Sequence, residues 1–168
     1  MADQLAEIEI GFVIRDHPHF GYRKEDRIDL EHAHSTDILQ GAFMGDAILR
    51  LPGEDFSTSP SDLGWRGLVE WCLRLDAVVR RVAEGASEFE LSVPDISETI
   101  QIRRDGDDLL FSFAYVETVG RIGTVTFIEH VEAFIRESTT WIGDRYPAAK
   151  RNPAARAYWE RLDAYLVS

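Results

Sequence analysis

Cysteine is almost absent from this chain, since Cys72 is the only one in 168 residues. A single thiol excludes an intrachain disulfide. Long apolar runs are also absent. No run approaches the roughly 20 residues that a helix needs to cross a bilayer. The N-terminal residues lack the basic and apolar regions of a secretion signal. We therefore expect a soluble protein of the reducing cytoplasm that does not bind membranes.

Basic residues are also few relative to acidic residues. The chain has 18 lysines and arginines against 30 aspartates and glutamates, which gives a formal net charge of −12. Such a charge repels a phosphate backbone and an anionic membrane, so it disfavours nucleic acid and lipid as partners. Residues 1–135 hold 12 basic and 26 acidic residues, a net charge of −14. A basic protein partner fits this imbalance, although an ordinary solvated surface explains it as well.

Signatures of catalysis are missing too. The chain contains no Gly-x-Ser-x-Gly turn for a nucleophilic serine. Cys72 falls on the apolar stripe of a predicted helix, where a free cysteine usually acts as a small hydrophobic residue. Residues 41–45 carry two glycines but lack the Lys-Ser/Thr continuation of a phosphate-binding loop. We expect no cofactor.

Four of the five histidines fall within 18 residues, at His17, His19, His32 and His34. On an extended strand, a His-x-His pair presents both imidazoles on one face, as a metal site requires. Pro18 between the first pair argues against a central strand. Solvated or hydrogen-bonded histidines are the main expectation, with no metal held. A metal-dependent hydrolase or oxygenase and a pH sensor are the alternatives.

What the chain does contain is clear hydrophobic periodicity. Alternating residues predict strands at 6–14 and 42–51, and a β-rich stretch with strands around 88–93, 100–103, 109–115 and 122–127. Residues 15–41 are interpreted as a long loop with a short strand at 27–30. Apolar stripes predict three helices at 62–84, 127–145 and 153–166. The prediction is a single α+β domain over residues 1–168, with a mainly antiparallel sheet of five or six strands backed by three helices.

Local signals set the predicted ends of these elements. Ser61 or Asp62 is an N-cap candidate for the first helix, and Gly85 suits the left-handed position after its end. A capping box at 126–129 opens the second helix, Pro147 stops it, and Asn152 caps the third. Asp105-Gly106 is a hairpin turn signal. Trp71 and Trp159 lie just off their stripes, and we expect them to pack against neighbouring elements rather than to anchor a partner.

An acidic patch is predicted at one end of the β-rich region. Glu88 and Glu90 project from the strand face opposite Phe89 and Leu91, and three aspartates surround the adjacent hairpin. The candidate protein-binding residues are Glu88, Glu90, Asp105, Asp107 and Asp108.

Several segments resemble a known group of proteins. They are Gly45-Asp-Ala-Ile-Leu-Arg-Leu, Glu88-Phe-Glu-Leu-Ser, Ile100-Gln-Ile-Arg-Arg-Asp-Gly-Asp, Tyr146-Pro-Ala-Ala and Asn152-Pro153. Over residues 42–160 the chain resembles small acidic actinobacterial proteins of unknown function that are regarded as immunity-like. The resemblance implies a binder that neutralises a toxin, and it assigns no functional residues.

The functional prediction is a non-catalytic binding protein of the immunity or antitoxin type, which captures a basic protein partner. Two alternatives stay open: a metal-dependent enzyme that uses the histidine-rich loop, and a small-ligand binder with a pocket between sheet and helices. Monomer and homodimer are both expected possibilities, because exposed sheet edges invite pairing while the net charge opposes it.

Overall fold

A computed structural model describes residues 8–17, 20–58, 66–92, 99–113 and 119–167. Within these residues the fold is α+β, as predicted, but the strands form two antiparallel sheets rather than one. The division could not be foreseen because it depends on which distant strands pair.

The first sheet is built around one long strand that pairs with each of the others. Its members are β1 (Glu9–Ile14), β2 (Met44–Leu51) and the two-residue strands β3 (Glu54–Asp55) and β4 (Arg66–Gly67). β1 runs antiparallel to β2 with Phe12 opposite Ala47. The predicted end of β2 at Pro52-Gly53 is confirmed, since Gly53 adopts a φ of 99° in the turn to β3.

The second sheet is a meander in which consecutive strands are neighbours. Its strands are β5 (Glu88–Ser92), β6 (Thr99–Asp105), β7 (Asp108–Phe113) and β8 (Val119–Gly123). The predicted alternation is confirmed, because Phe89, Ile100 and Phe111 are all buried. The predicted hairpin is also confirmed, with Gly106 at a φ of 62°. The strand expected around 122–127 is misplaced, because a helix already begins at Thr124.

Two of the three predicted helices start at the wrong residue. The helices are α1 (Leu68–Ala83), α2 (Thr124–Arg145), α3 (Pro147–Arg151) and α4 (Arg156–Asp163). Gly67 is held extended by pairing with Met44, so α1 begins six residues later than expected. The proposed caps Ser61 and Asp62 lie outside the described residues. α2 begins at Thr124 after an extended Gly123, so the residues of the expected capping box lie inside it.

The third predicted helix spans the expected residues 153–166, with 3-10 rather than α geometry at both ends, and its predicted cap is correct. Short 3-10 turns at 153–155 and 164–166 flank α4. Asn152 caps the first of them, since its Oδ1 accepts from the backbone N–H groups of Ala154 at 2.8 Å and Ala155 at 3.3 Å. α2 ends at Arg145 as expected, but Pro147 then opens α3, where its fixed φ suits a first helical position.

The segment between β1 and β2 is more ordered than the predicted loop. A 3-10 turn occupies Lys24–Asp26 and a helical turn occupies Asp37–Gly41, while the strand expected at 27–30 does not form. Glu25 is buried, and its Oε2 accepts the backbone N–H of Phe43 at 2.9 Å. That bond holds Phe43 at a φ of 54°, which a bulky residue rarely adopts. Local sequence patterns carry no signal for this contact.

Asn152 also ties the C-terminal segment to that loop. Its Nδ2 donates to the carbonyls of Leu30 at 2.7 Å and Ala33 at 2.9 Å, and the side chain is buried. We expect Asn152→Ala to lower the free energy of unfolding by about 2–3 kcal/mol, because it removes the cap and leaves two carbonyls unpaired.

Denaturant titration of Asn152→Ala beside Asn152→Asp checks this prediction. The aspartate retains the capping oxygen but places a second, buried carboxylate oxygen against the carbonyls of Leu30 and Ala33, so it should be at least as destabilised as the alanine variant at neutral pH. An alanine variant as stable as the wild type would contradict the role given to these bonds.

The hydrophobic core contains side chains from both sheets and from α1, α2 and α4. Trp71 and Trp159 are buried in it, which confirms the packing expected of them. The indole N–H of Trp159 donates to the carbonyl of Ala149 at 2.8 Å. None of the helices in the described ranges is long and apolar enough to cross a membrane.

The two sheets meet where β8 passes the turn between β2 and β3. The backbone N–H of Arg121 donates to the carbonyl of Pro52 at 3.1 Å. A β-carbon added at Gly120 would lie 2.9 Å from the Phe56 ring, so glycine permits this close approach. β8 therefore connects the second sheet to the first.

Candidate functional site

The predicted acidic residues gather on the outer face of the second sheet and at its hairpin. Alternation along β5 buries Phe89 and Leu91 and leaves Glu88 and Glu90 exposed. The hairpin aspartates lie at the same end as Glu88, because its cross-strand neighbour Arg103 is only two residues from Asp105. We call this set the carboxylate face; its members are Glu88, Glu90, Asp105, Asp107 and Asp108.

Arginines are interleaved with these carboxylates. Arg121 on β8 donates from Nη1 to Asp108 Oδ2 at 2.8 Å and from Nη2 to Asp105. Arg103 lies directly across from Glu88 in the β5–β6 register. The surface is therefore acidic but partly neutralised, which the charge count alone did not predict.

Three of the five carboxylates are free of a cationic bond. Glu88 and Asp107 are exposed, and their carboxylates make no hydrogen bond or ion pair within the described part of the chain. Glu90 accepts only from the neutral amide of Gln101, at 2.8 Å. These groups are available to a partner's cations, whereas Asp105 and Asp108 already share the guanidinium of Arg121.

Apolar contact area lies beside the free carboxylates. A depression of about 260 Å³ is bounded by Glu88 and Arg103 and continues over Leu110 and Val119. Val119 on β8 is 42% exposed. Protein-binding surfaces commonly combine an apolar centre with a polar, solvent-accessible rim, and Val119 with its charged neighbours has that composition.

Sequence reasoning missed Arg121 because it misplaced β8. With the strand at Val119–Gly123, alternation puts Arg121 opposite Leu110 and on the same face as Asp108. A strand that starts at residue 122 leaves Arg121 in a loop with no defined neighbour. The missing information was the cross-strand register, which depends on contacts between separate segments.

The described histidines bond to their own neighbours rather than to a common centre. His32 Nδ1 lies 2.8 Å from Asp29 Oδ2, and His34 Nδ1 lies 2.9 Å from Thr36 Oγ1. His17 stacks on Phe20 with ring centroids 4.4 Å apart. His19 falls outside the described residues. Within those residues, no three potential ligands come together as a metal site would require.

The contact between Asp29 and His32 changes a measurable property, the pKa of His32. Its hydrogen bond raises the pKa of His32 above 6.5, and both side chains are exposed. The stabilisation that accompanies a raised pKa is complete below about pH 6.5 and is lost as the pH rises through the folded-state pKa. We expect Asp29→Asn to lower the pKa of His32 in an NMR titration.

Asp16→Asn is the matched control for that titration, because Asp16 is an exposed loop aspartate that pairs with Arg23 instead. It should leave the His32 resonance unchanged. An equal pKa for His32 in wild type and Asp29→Asn would show that the hydrogen bond does not form in solution.

A second concave region, a groove of about 440 Å³, lies between β1 and α2. Its walls are mainly apolar, and its polar groups are Glu137 and Ser138. The apolar lining residues are Ile10, Phe12, Ile14, Leu68, Phe134 and Trp141. Its volume is in the range of small-molecule pockets. Sequence reasoning anticipated a pocket between sheet and helices but could not place it.

Cys72 is unsuited to nucleophilic chemistry. It is buried on α1, and that burial raises the pKa of its thiol to about 12. At neutral pH almost no thiolate is present, and the thiolate is the reactive form. The interpretation of Cys72 as a small core residue is therefore supported.

No family model, curated protein or solved structure matches this chain.

Proposed function

We propose that this protein is a non-catalytic binding protein of the immunity or antitoxin type, which captures a basic protein partner through the carboxylate face. The proposal rests on three carboxylates, those of Glu88, Glu90 and Asp107. All three are exposed, and within the described residues no cationic side chain bonds to them. Lysines or arginines of a partner would supply the missing counter-charges.

Arg121 has a positioning role in this proposal. Arg121 holds Asp105 and Asp108 together, so the hairpin end presents a fixed pair of carboxylates before a partner arrives. Fixing these side chains beforehand reduces the entropy lost on binding. Because Arg121 and Asp105 are exposed and Asp108 is partly exposed, the charges act mainly on the association rate and on specificity. Val119 and Leu110 add apolar contact beside them.

The proposal is tested by affinity capture with the full-length chain. The bait is offered to lysate of the native cell and, separately, to purified toxins encoded beside the gene. We expect a basic protein to be retained at low salt and largely released at high salt, since screening weakens exposed charge pairs. Retention of proteins without regard to their charge would count against the proposal.

Two variants with equal changes in net charge identify the surface involved. One neutralises the carboxylate face through Glu88→Gln, Glu90→Gln, Asp105→Asn, Asp107→Asn and Asp108→Asn. The other neutralises five carboxylates elsewhere through Glu84→Gln, Glu129→Gln, Glu132→Gln, Asp144→Asn and Glu160→Gln. Capture should fail with the first variant and persist with the second. Equal loss in both would mean that only the overall charge attracts the partner.

The groove between β1 and α2 supports a second candidate function, the binding of a small apolar ligand. Phe134 and Trp141 offer aromatic surface there, and Glu137 offers one charge at the side. Mass spectrometry of the purified protein under native conditions tests this candidate. A metabolite that co-purifies with the wild type and is lost from Phe134→Trp, whose larger ring fills the groove, would favour it over protein capture.

A further inference from the structure

β1 is an open edge of the first sheet. Within the described residues it pairs with β2 alone. The backbone N–H of Arg15 donates to the carbonyl of Met44 at 2.9 Å, so odd-numbered residues of this strand bond toward β2. Antiparallel strands alternate the direction of their hydrogen bonds. The N–H and C=O groups of Ile10, Phe12 and Ile14 therefore point away from β2, toward the open edge.

Three of the usual protections of such an edge are missing from the strand Glu9–Ile14. Proteins commonly blunt an edge strand with proline, lysine, a bulge or a covering segment. The strand Glu9–Ile14 contains neither proline nor lysine, and it pairs with β2 without a bulge. Val13 is 39% exposed, and Ile10, Phe12 and Ile14 are only partly buried.

We propose that a second copy of this chain occupies the edge, so that two β1 strands pair antiparallel about a two-fold axis at Phe12. In that register Phe12 lies opposite Phe12 and Ile10 lies opposite Ile14. Each of these pairs has its N–H and C=O groups directed at the other strand, so all three residues on each side can form ladder hydrogen bonds. This proposal concerns a different surface from the carboxylate face and does not depend on it.

Charge complementarity selects this register. A two-fold at Phe12 places Glu9 of each copy opposite Arg15 of the other, at both ends of the paired strands. A shift of two residues in one direction would place Glu9 opposite Val13, and a shift in the other would place Arg15 opposite Gly11. The central aromatic pair is a further favourable cross-strand contact.

Pairing would also cover the half-buried apolar residues of the edge. Ile10, Phe12 and Ile14 line the groove between β1 and α2 and are only partly buried. The same residues of the second copy would extend that apolar surface and remove it from water. The groove and the open edge would thus be parts of one self-complementary interface.

Electrostatic repulsion works against this dimer, since each copy carries a net charge of −12. Salt screens repulsion between the two copies. We therefore expect dimerisation to strengthen as salt increases from low to physiological concentration, whereas capture of a basic partner should weaken. The two proposals can fail separately for that reason.

Sedimentation velocity on the full chain is the first test. The wild type should show a concentration-dependent monomer–dimer equilibrium. Glu9→Arg or Arg15→Glu alone should raise the dimer dissociation constant about tenfold, because each places like charges opposite one another twice per dimer. Combining Glu9→Arg with Arg15→Glu should restore dimerisation. Circular dichroism verifies folding, because Glu9 and Arg15 also pair with Arg50 and Asp46 within the chain.

Disulfide trapping tests the register by distance rather than by charge reversal, and Phe12→Cys leaves both Glu9 and Arg15 in place. Cys72 is buried, so a cysteine introduced on β1 is the reactive thiol. Phe12→Cys should cross-link two copies, since directly opposed residues have a suitable Cα separation of about 5.5 Å. Glu9→Cys alone should not, because its two copies would lie roughly 20 Å apart. A mixture of Glu9→Cys and Arg15→Cys should cross-link.

Two outcomes would overturn the proposal. One is a wild type that stays monomeric at every concentration and salt level tested. The other is a dimer that is indifferent to the charge changes and forms no Phe12→Cys cross-link, since it would use another surface.

Discussion

Replacing Asp76 with alanine should lower the free energy of unfolding by about 3 kcal/mol, because its buried carboxylate joins α1 to the C-terminal segment. Asp76 is 1% exposed. Its Oδ2 accepts from Arg80 Nε at 3.0 Å and Arg161 Nε at 3.0 Å, and its Oδ1 accepts from the hydroxyl of Tyr165 at 2.8 Å. The last two partners lie more than 80 residues away in the chain.

The large effect follows from the number of bonds that depend on one carboxylate. Its removal breaks three charge-assisted contacts at once and leaves the hydroxyl of Tyr165 without that acceptor. Burial of the Tyr165 hydroxyl, and then its hydrogen bond to Asp76, raise the pKa of Tyr165, so the hydroxyl stays protonated and donates at neutral pH. Loss of Asp76 should therefore loosen α4 from α1 as well as lower stability.

Glu84→Ala is the matched control for Asp76→Ala. Glu84 also pairs with an arginine, Arg81, at 3.1 Å, but both side chains are more than half exposed. Such a pair contributes about 0.5 kcal/mol or less. Denaturant titration of the three proteins should show a large shift for Asp76→Ala only, and coincident curves for the two variants would contradict the role of the buried network.

Gly45→Ala should have an effect of similar size for a purely steric reason. A β-carbon at Gly45 would lie 1.9 Å from the backbone carbonyl oxygen of Val13 on β1. Neither atom belongs to a flexible side chain, so the two strands would have to separate. We expect a loss of about 3 kcal/mol and a weakened pairing of β1 with β2.

Gly11→Ala, in the same strand pair, provides the comparison. A β-carbon at Gly11 would meet only the side chain of Ile48, at an ordinary contact distance of 3.7 Å. That substitution should be neutral or slightly stabilising, because alanine restricts the unfolded chain more than glycine does. Thermal unfolding of both variants measures the difference. Equal melting temperatures would mean that β1 and β2 are less closely packed than the structure places them.

The features that could be predicted from sequence are those governed by neighbouring residues. Alternation identified the inward face of the second sheet, and Asp105-Gly106 identified its hairpin. Gly85 was assigned to the left-handed position after α1, and it adopts a φ of 78° there. In each case a local conformational preference and the burial of one face favour the same structure.

The features that could not be predicted depend on distant contacts. α1 begins late because Gly67 pairs with Met44, and no local signal marks that pairing. The turns between β1 and β2 are held by the contact of Glu25 with Phe43, two residues 18 apart. Alternation along β5 was enough to predict that Glu88 and Glu90 are exposed. The ion pairs of Arg121 could not be predicted, because they depend on the register of β8 against β7.

The capture of a basic protein is tested most directly by its dissociation constant, measured by isothermal titration calorimetry with wild type and the two charge-matched variants. Neutralising Glu88, Glu90, Asp105, Asp107 and Asp108 should weaken binding about tenfold or more. Neutralising Glu84, Glu129, Glu132, Asp144 and Glu160 should change it by less than about threefold, because the overall charge change is the same but lies away from the contact surface. Equal dissociation constants for the two variants, or unchanged binding in the first, would contradict the assignment of the carboxylate face as the binding site.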